Sequence, residues 1–274
     1  MAFFKRKPKP ERFESANELK LLTPDTPFAI IEAFKMLSTN IRYLNVDSKC
    51  KKIAVTSAVS GEGKTTLCVN LATSFAQNLD GAKVLIIDTD LRQPKVAKLL
   101  GLDIKQSGVT EYLAGIDEKP NIVVHADTRL HVLTSGAPGV NPTRLVSSPK
   151  MKALLLELGE IYDYIFVDTP PVTIVPDAVL VNDYVNGYII ACRADYSNIN
   201  LMDNCVEQLK LVGAEIFGFV LMSMKMKSYG GKSKYGSYYK YNRYDEKARE
   251  QAKAKKAEAQ TPDDKKSEDV ESDG

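Results

Sequence analysis

Residues 53–66 read Ile-Ala-Val-Thr-Ser-Ala-Val-Ser-Gly-Glu-Gly-Lys-Thr-Thr, and no other stretch of the chain limits its fold as tightly. A β-branched run of the kind that forms a buried strand stops in a turn of small residues. Lys64 and two hydroxyls then open a segment with apolar residues at Leu67, Val69, Leu71 and Phe75. Strand, loop and helix in that order build a phosphate cradle. Small residues let consecutive backbone N–H groups converge on an anion, and the helix N-terminus adds partial positive charge. The spacing follows G-x-x-x-x-G-K-[ST], with Ala58 in place of the first glycine. On this reading Ser60, Gly61, Glu62, Gly63, Lys64, Thr65 and Thr66 are the nucleotide-binding loop. Lys64 would reach the β- and γ-phosphates, and the Thr65 hydroxyl would sit on Mg²⁺.

Further strands announce themselves as unbroken apolar runs at 84–87, 164–167, 187–192 and 216–222, with a weaker one at 130–134. Helical patterns at 64–79, 94–100, 149–160, 176–182 and 198–212 separate most of them. An earlier helix has Thr26 as its expected N-cap, Pro27 in its first turn, and Ile30, Ile31, Phe34, Leu37 and Ile41 along one stripe. Strands alternating with helices predict an α/β fold of the P-loop NTPase type. Its central sheet is expected to be mostly parallel, with helices on both faces, and ligands bind beyond the carboxyl ends of such strands. The expected organisation is a flexible basic N-terminus at 1–22, the P-loop domain at 23–224, a tyrosine cluster at 225–244 and a disordered charged tail at 245–274.

Of the 274 residues, 44% are hydrophobic, enough for a sizeable core. No apolar run reaches the about 18 residues that a membrane span needs, and the basic start is not followed by the apolar stretch of a secretory signal. The four cysteines, Cys50, Cys68, Cys192 and Cys205, lie far apart, with only His125 and His131 to join them. That excludes zinc-site spacing and predicts buried free thiols in a reducing compartment. The net charge of +2 is unevenly spread. Residues 1–12 carry five basic groups and one acid, residues 225–244 carry six basic groups and none, and residues 245–274 hold seven basic and ten acidic groups. The intervening body is therefore acidic, which favours contact between the basic tail and an acidic body, within one chain or between neighbours.

Carboxylates follow two strands directly, in Asp88-Thr89-Asp90-Leu91-Arg92 and Asp168-Thr169-Pro170-Pro171. Asp168 sits where a second metal anchor is expected beside a phosphate loop. Alternation along an extended segment would place Asp88 and Asp90 on one side, and a cation would relieve their repulsion. Arg92 suits either a carboxylate or a phosphate. Six of the thirteen tyrosines, Tyr229, Tyr235, Tyr238, Tyr239, Tyr241 and Tyr244, crowd into sixteen residues among Lys, Gly and Ser. Their spacing is not that of a core. On residues alone, stacking on nucleic acid and accepting phosphate remain equally open.

Taken in order, these four motifs resemble the bacterial tyrosine kinases of capsule and exopolysaccharide operons, in the form whose cytoplasmic kinase is a separate chain. The similarity spans residues 25–244, and its most specific element is Val84-Leu85-Ile86-Ile87-Asp88-Thr89-Asp90-Leu91-Arg92. Gly108–Gly115 and Gly136–Pro142 also resemble family segments. The resemblance implies an ATP- and Mg²⁺-dependent protein-tyrosine kinase with Lys64, Asp88, Asp90 and Asp168 as catalytic residues. Asp88 would accept the phenol proton. Thr65 and Asp168, supported by Asp88 and Asp90, would hold the metal. It also implies that the six tail tyrosines are the acceptors, presented between subunits of a ring-like homo-oligomer, and that nucleic acid is not a partner. The cationic tail would then enter the acidic mouth of an adjacent body and be expelled as phosphates reverse its charge. A transmembrane activator of the polysaccharide machinery would recruit the cytoplasmic chain to the inner face of the membrane, and a cognate tyrosine phosphatase would reset it.

Three departures accompany this resemblance. Lys35 and Ser38 stand where relatives commonly carry arginines on the first helix, and Lys lacks Arg's bidentate fork. The strand at 216–222 ends in Val-Leu-Met where relatives often place an adenine-reading Asn. The segment after Tyr244 has no assigned counterpart. Two alternatives stay in view. A partitioning or positioning ATPase of the same class usually has a signature lysine five residues before the main one, where this chain has Val59. A nucleotide-binding adaptor of a polysaccharide export complex would not need Lys64, Asp88, Asp90 and Asp168 intact.

Overall fold

The computed structural model describes residues 21–223, apart from positions 24, 25, 45, 105 and 140. The tyrosine cluster at 225–244, the tail at 245–274 and residues 1–20 lie outside the described residues. Leu21 and Leu22, at the end of the segment expected to be mobile, are attached: Leu21 packs on the core, and the Leu22 amide donates to Asn70 Oδ1 at 2.7 Å.

Seven strands form one sheet: β1 (Lys51–Ser57), β2 (Val84–Asp88), β3 (Val123–Val124), β4 (His131–Leu133), β5 (Tyr164–Asp168), β6 (Gly187–Arg193) and β7 (Ile216–Met222). Their order across the sheet is β3-β4-β2-β5-β1-β6-β7. All neighbours pair in parallel except β3 with β4. Every expected strand is present within a residue or two of its expected ends. The two-residue antiparallel edge β3 was not foreseen.

The strands run unbroken apolar because each has two faces to bury. One face carries Ile53, Val55, Ile86, Phe166 and Ile189 against helices α1 (Phe28–Arg42), α2 (Lys64–Asn78) and α3 (Val96–Leu99). The other carries Ala54, Leu85, Ile87, Ile165, Val167 and Ile190. Against it pack α4 (Val109–Ala114), α5 (Pro142–Val146), α6 (Pro149–Ile161), α7 (Asp177–Leu180) and α8 (Ile199–Leu211). Strand residues alternate strictly between the two clusters, as the two-residue period of a strand requires. α2 is buried almost throughout, and its Phe75 meets Tyr164 and Phe166 with ring centroids 4.6 and 5.1 Å away.

α4 and α5 were absent from the sequence-based expectation. Glu111 reaches back to the Gly108 amide at 2.8 Å to start α4, and Asn141 caps α5 through the Arg144 amide at 3.2 Å. The expected cap at Thr26 is corrected. Its hydroxyl turns back to accept the Thr23 amide at 2.9 Å, and the first helical bonds of α1 run to the Pro27 carbonyl. The first turn and a half of that helix, Pro27–Glu32, falls outside the unit that carries the sheet. Ser38, one of the family departures, is buried and bonds Ser74 of α2 across 3.1 Å. All four cysteines are free, with Cys192 half-buried and the rest buried, and burial pushes the Cys50 and Cys205 thiols up to about 11 and about 12.

Because β5 lies between β2 and β1, three carboxyl ends stand side by side, and the register pairs Asp88 with Asp168. The turn after β5 is stapled to β1. Thr169 donates to the Val55 carbonyl from both its amide and its hydroxyl, and Thr56 Oγ1 donates to the Pro170 carbonyl at 2.9 Å. Phe75→Ala should lower the unfolding free energy by about 3–5 kcal/mol in urea denaturation, the range for emptying a packed aromatic site. A loss below about 1 kcal/mol would show that the α2 face is not the packed core described.

Candidate active site

The loop between β1 and α2 takes a cradle shape through two glycines with positive φ, Gly61 at 89° and Gly63 at 95°. Gly63 occupies the cap position of α2 and supplies no side chain to cap it. The first N–H groups of a long helix are thus left to whatever sits above them, as anion sites require. The loop lines a cleft of about 500 Å³ together with Asp90, Arg92, Gln93, Lys95, Lys98, Pro170, Pro171, Ile174, Val175, Arg193, Met222 and Ser223.

Beneath the loop lies a buried charge cluster. Lys64 Nζ is 2.7 Å from Asp90 Oδ2, 3.9 Å from Asp168 Oδ1 and 3.3 Å from Thr65 Oγ1. Burial alone would lower the affinity of Lys64 for its proton, but Asp168, Asp90 and Asp88 outweigh it and hold the ammonium above its ordinary value. Both oxygens of Asp168 are buried without a hydrogen-bond partner, and burial pushes this carboxyl up against the pull of Lys64. Asp88 is fully buried. Its Oδ1 accepts the Asp90 amide at 3.1 Å, and its Oδ2 accepts the amides of Lys95 and Val96 at 3.2 and 3.1 Å. Burial, then the Asp168 charge, raise its proton affinity well above the usual carboxylate range. Asp90 Oδ1 accepts the Gln93 amide at 3.1 Å and, unlike Asp88, Asp90 lines the cleft.

Among the described residues, no three His, Cys, Asp or Glu side chains form a ready-made metal cage. The donor set nevertheless fits a nucleotide-bound Mg²⁺. A hydroxyl at Thr65 and an orphaned carboxylate at Asp168 stand beside a cradle for phosphate, and phosphate oxygens and water would complete the coordination. Thr65 and Asp168 would hold it with Asp90 beside them, whereas both oxygens of Asp88, expected to support the metal, accept backbone amides.

The structure brings Lys64, Thr65, Asp88, Asp90 and Asp168 together, and Ser60, Gly61, Gly63 and Thr66 line the same cleft. Glu62 also borders the cleft, but its carboxylate is taken by Val59 and Ser197. The expected tail acceptors lie outside the described residues. Arg92 resolves toward a carboxylate. Its Nε donates to Asp177 Oδ2 at 2.9 Å and its Nη2 to Thr143 at 2.8 Å, which fixes the guanidinium at the lip of the cleft. The expectation of an acidic mouth is overturned. The acids there, Glu62 and Asp90, are buried, while Arg92 and Lys98 are exposed and Lys95 and Arg193 half-exposed. Arg193, Lys95 and Lys98 were not singled out from sequence, since isolated cations outside motifs carry no signal of a shared rim; Met222, where relatives often place an adenine-reading Asn, lines the same cleft.

The CobQ/CobB/MinD/ParA nucleotide binding domain family matches residues 53–232. Tyrosine-protein kinase YwqD of Bacillus subtilis (strain 168) is 34% identical over 208 residues, covering 76% of this chain and 85% of YwqD. This chain belongs to the bacterial tyrosine-protein kinases. The kinase domain of the Escherichia coli tyrosine kinase ETK superposes with a TM-score of 0.66 at 30% identity, covering 73% of this chain and 80% of that one. The septum site-determining protein MinD of Pyrococcus horikoshii OT3, complexed with Mg-ADP, is more distant, at TM-score 0.54 and 25% identity, covering 63% of this chain and 70% of that one. Among the described residues, no helix of this kinase is long and apolar enough to cross a membrane.

Replacing Lys64 by Met would strand Asp90 and Asp168 without their cation. Breaking a buried pair in this way should destabilise the nucleotide-free protein by about 3–5 kcal/mol in chemical denaturation. Unchanged stability would mean that the carboxylates are compensated by another group.

Proposed function

We propose that this chain is an ATP-dependent protein-tyrosine kinase that phosphorylates the tyrosines of its own C-terminal cluster, between subunits, and thereby regulates capsular or exopolysaccharide synthesis and export. One observation carries the reading: Asp88, Asp90 and Asp168 converge on Lys64 at the foot of a phosphate cradle. The kinship with YwqD and ETK sets the reaction class. MinD, complexed with Mg-ADP on the same fold, supports a magnesium nucleotide as the ligand.

Bound Mg²⁺ would supply charge neutralisation on the phosphates. The loop amides from residue 60 onward and the α2 N-terminus hold the triphosphate. Lys64 would leave its carboxylates to meet the phosphate oxygens, and Thr65 and Asp168 would hold the metal. Asp90 would support the metal's water shell. Asp88 receives the phenol proton. Reaching Asp88 requires the segment bearing the Lys95 and Val96 amides to lift. Most of the acceleration comes from in-line placement and neutralised charge. Recruitment to the membrane by an activator's cytoplasmic tail, ring-like self-association and reversal by a tyrosine phosphatase complete the proposal.

The basic rim changes the electrostatics of tail docking. Repulsion between the rim and an unmodified cationic tail is reduced as phosphates accumulate, so charge alone does not expel the product. The partitioning-ATPase alternative is disfavoured by Val59 at the signature-lysine position and by the lower similarity to MinD.

Incubation with Mg·ATP and the activator's cytoplasmic tail, followed by mass mapping, should place phosphate on tyrosines between 229 and 244. Replacing those six tyrosines by Phe should remove the label and leave nucleotide affinity within about threefold. Asp88→Asn should cut the transfer rate by about a hundredfold or more with nucleotide binding retained. Label persisting on the six-Phe variant, or full activity in Asp88→Asn, would contradict these assignments.

A further inference from the structure

The crest of the phosphate loop is tied to a turn that no motif marks, residues 193–198 between β6 and α8. Glu62 lies in the loop yet is only 1% exposed. Its Oε2 accepts the Val59 amide at 2.9 Å, and its Oε1 accepts the Ser197 hydroxyl. Ser197 Oγ in turn accepts the Arg193 amide at 2.7 Å. Two parallel ties reinforce the link: Arg193 Nη1 donates to the Gly61 carbonyl at 3.2 Å, and the Tyr196 hydroxyl donates to the Ser60 carbonyl at 3.0 Å.

We propose that Glu62 and Ser197 form a clamp that sets the shape of the phosphate cradle, and that both are positioning residues for Mg·ATP rather than ligands of the nucleotide or the metal. This rests on the P-loop reading of the cleft given above. A carboxylate this buried is tolerated only when donors satisfy it, and here a backbone amide and a hydroxyl do so. The bond from Val59 to Glu62 closes the loop on itself across three residues and withdraws the Val59 N–H from any anion. With Gly61 and Gly63 in left-handed conformations, that closure holds the curvature the following amides need. A cradle already curved loses less entropy on binding a triphosphate, so the clamp acts on affinity through preorganisation. Because Arg193 both lines the cleft and belongs to the turn, the clamp also keeps one rim cation in register with the loop.

The test uses the full chain. Amide hydrogen exchange on the nucleotide-free protein reads the clamp, and calorimetry reads Mg·ATP affinity and its Mg²⁺ requirement. Glu62→Ala and Ser197→Ala should each speed exchange in both segments, 58–63 and 193–198, without nucleotide. Glu62→Ala should weaken Mg·ATP binding about tenfold, as loss of a buried charge-assisted bond implies, with the Mg²⁺ requirement unchanged. The double variant should bind no more weakly than Glu62→Ala, because both changes break one shared interaction. Glu62→Gln, which keeps an acceptor for Val59, should fall between wild type and Glu62→Ala, and it carries the test with Ser197→Ala if Glu62→Ala does not fold. Faster exchange confined to the mutated segment, additive losses, or a shifted Mg²⁺ requirement in Glu62→Ala would each overturn the clamp. Failure of the wild type to bind Mg·ATP would instead overturn the kinase reading, with the exchange measurement still judging the clamp.

Discussion

Lys64 Nζ sits 2.7 Å from Asp90 and 3.9 Å from Asp168, with the buried Asp88 carboxyl in register beside Asp168. The rest of the site is built around keeping those groups together. Three carboxylates at neighbouring strand ends could not all stay ionised in a dry place without a cation. In the nucleotide-free chain the Lys64 ammonium is that cation for Asp90 and Asp168, while burial and the Asp168 charge favour the protonated form of Asp88. The arrangement follows from strand order alone: β2, β5 and β1 end side by side, so the acids after two strands meet the lysine after the third. It is also a poised exchange. A magnesium nucleotide, if bound as proposed, would offer a stronger cation for the carboxylates and an anion for the lysine, replacing one ion pairing by two.

The fold was legible because a doubly covered parallel sheet writes itself as continuous apolar runs, and the strands were placed within a residue or two. What the sequence concealed had little periodicity to show. α4 and α5 span only 6 and 5 residues, too short for a helical stripe, and they announce themselves only through Gly108, Glu111 and the Asn141-Pro142 pair. β3 has two residues and no room to alternate. Thr26 met the compositional rule for a cap, yet its hydroxyl found a nearer amide at Thr23.

Within the site, motif residues were readable and their neighbours were not. Lys64, Thr65, Asp90 and Asp168 fall in short windows with fixed chemistry. Arg193, Lys95 and Lys98 come from separate turns and meet only in three dimensions, so net charge misjudged the mouth of the cleft. A body acidic in sum presents basic groups there, because its acids, Glu62 and Asp90, are buried beneath the loop. Glu62 shows the same gap at one residue. Its place in the loop suggested contact with nucleotide, while its hydrogen bonds turn it toward Ser197.

In the proposed reaction, Asp90 and Asp168 would change partners from Lys64 to a metal as the triphosphate arrives. Calorimetric titration of ATP into the wild-type chain, with and without Mg²⁺, tests this most directly. Without the metal, Lys64 must leave Asp90 and Asp168 uncompensated to reach a phosphate, so binding should weaken by about a hundredfold or more. Equal affinity in the two titrations would show that Lys64 never leaves its carboxylates, or that they need no replacement cation, and the exchange described here would be wrong.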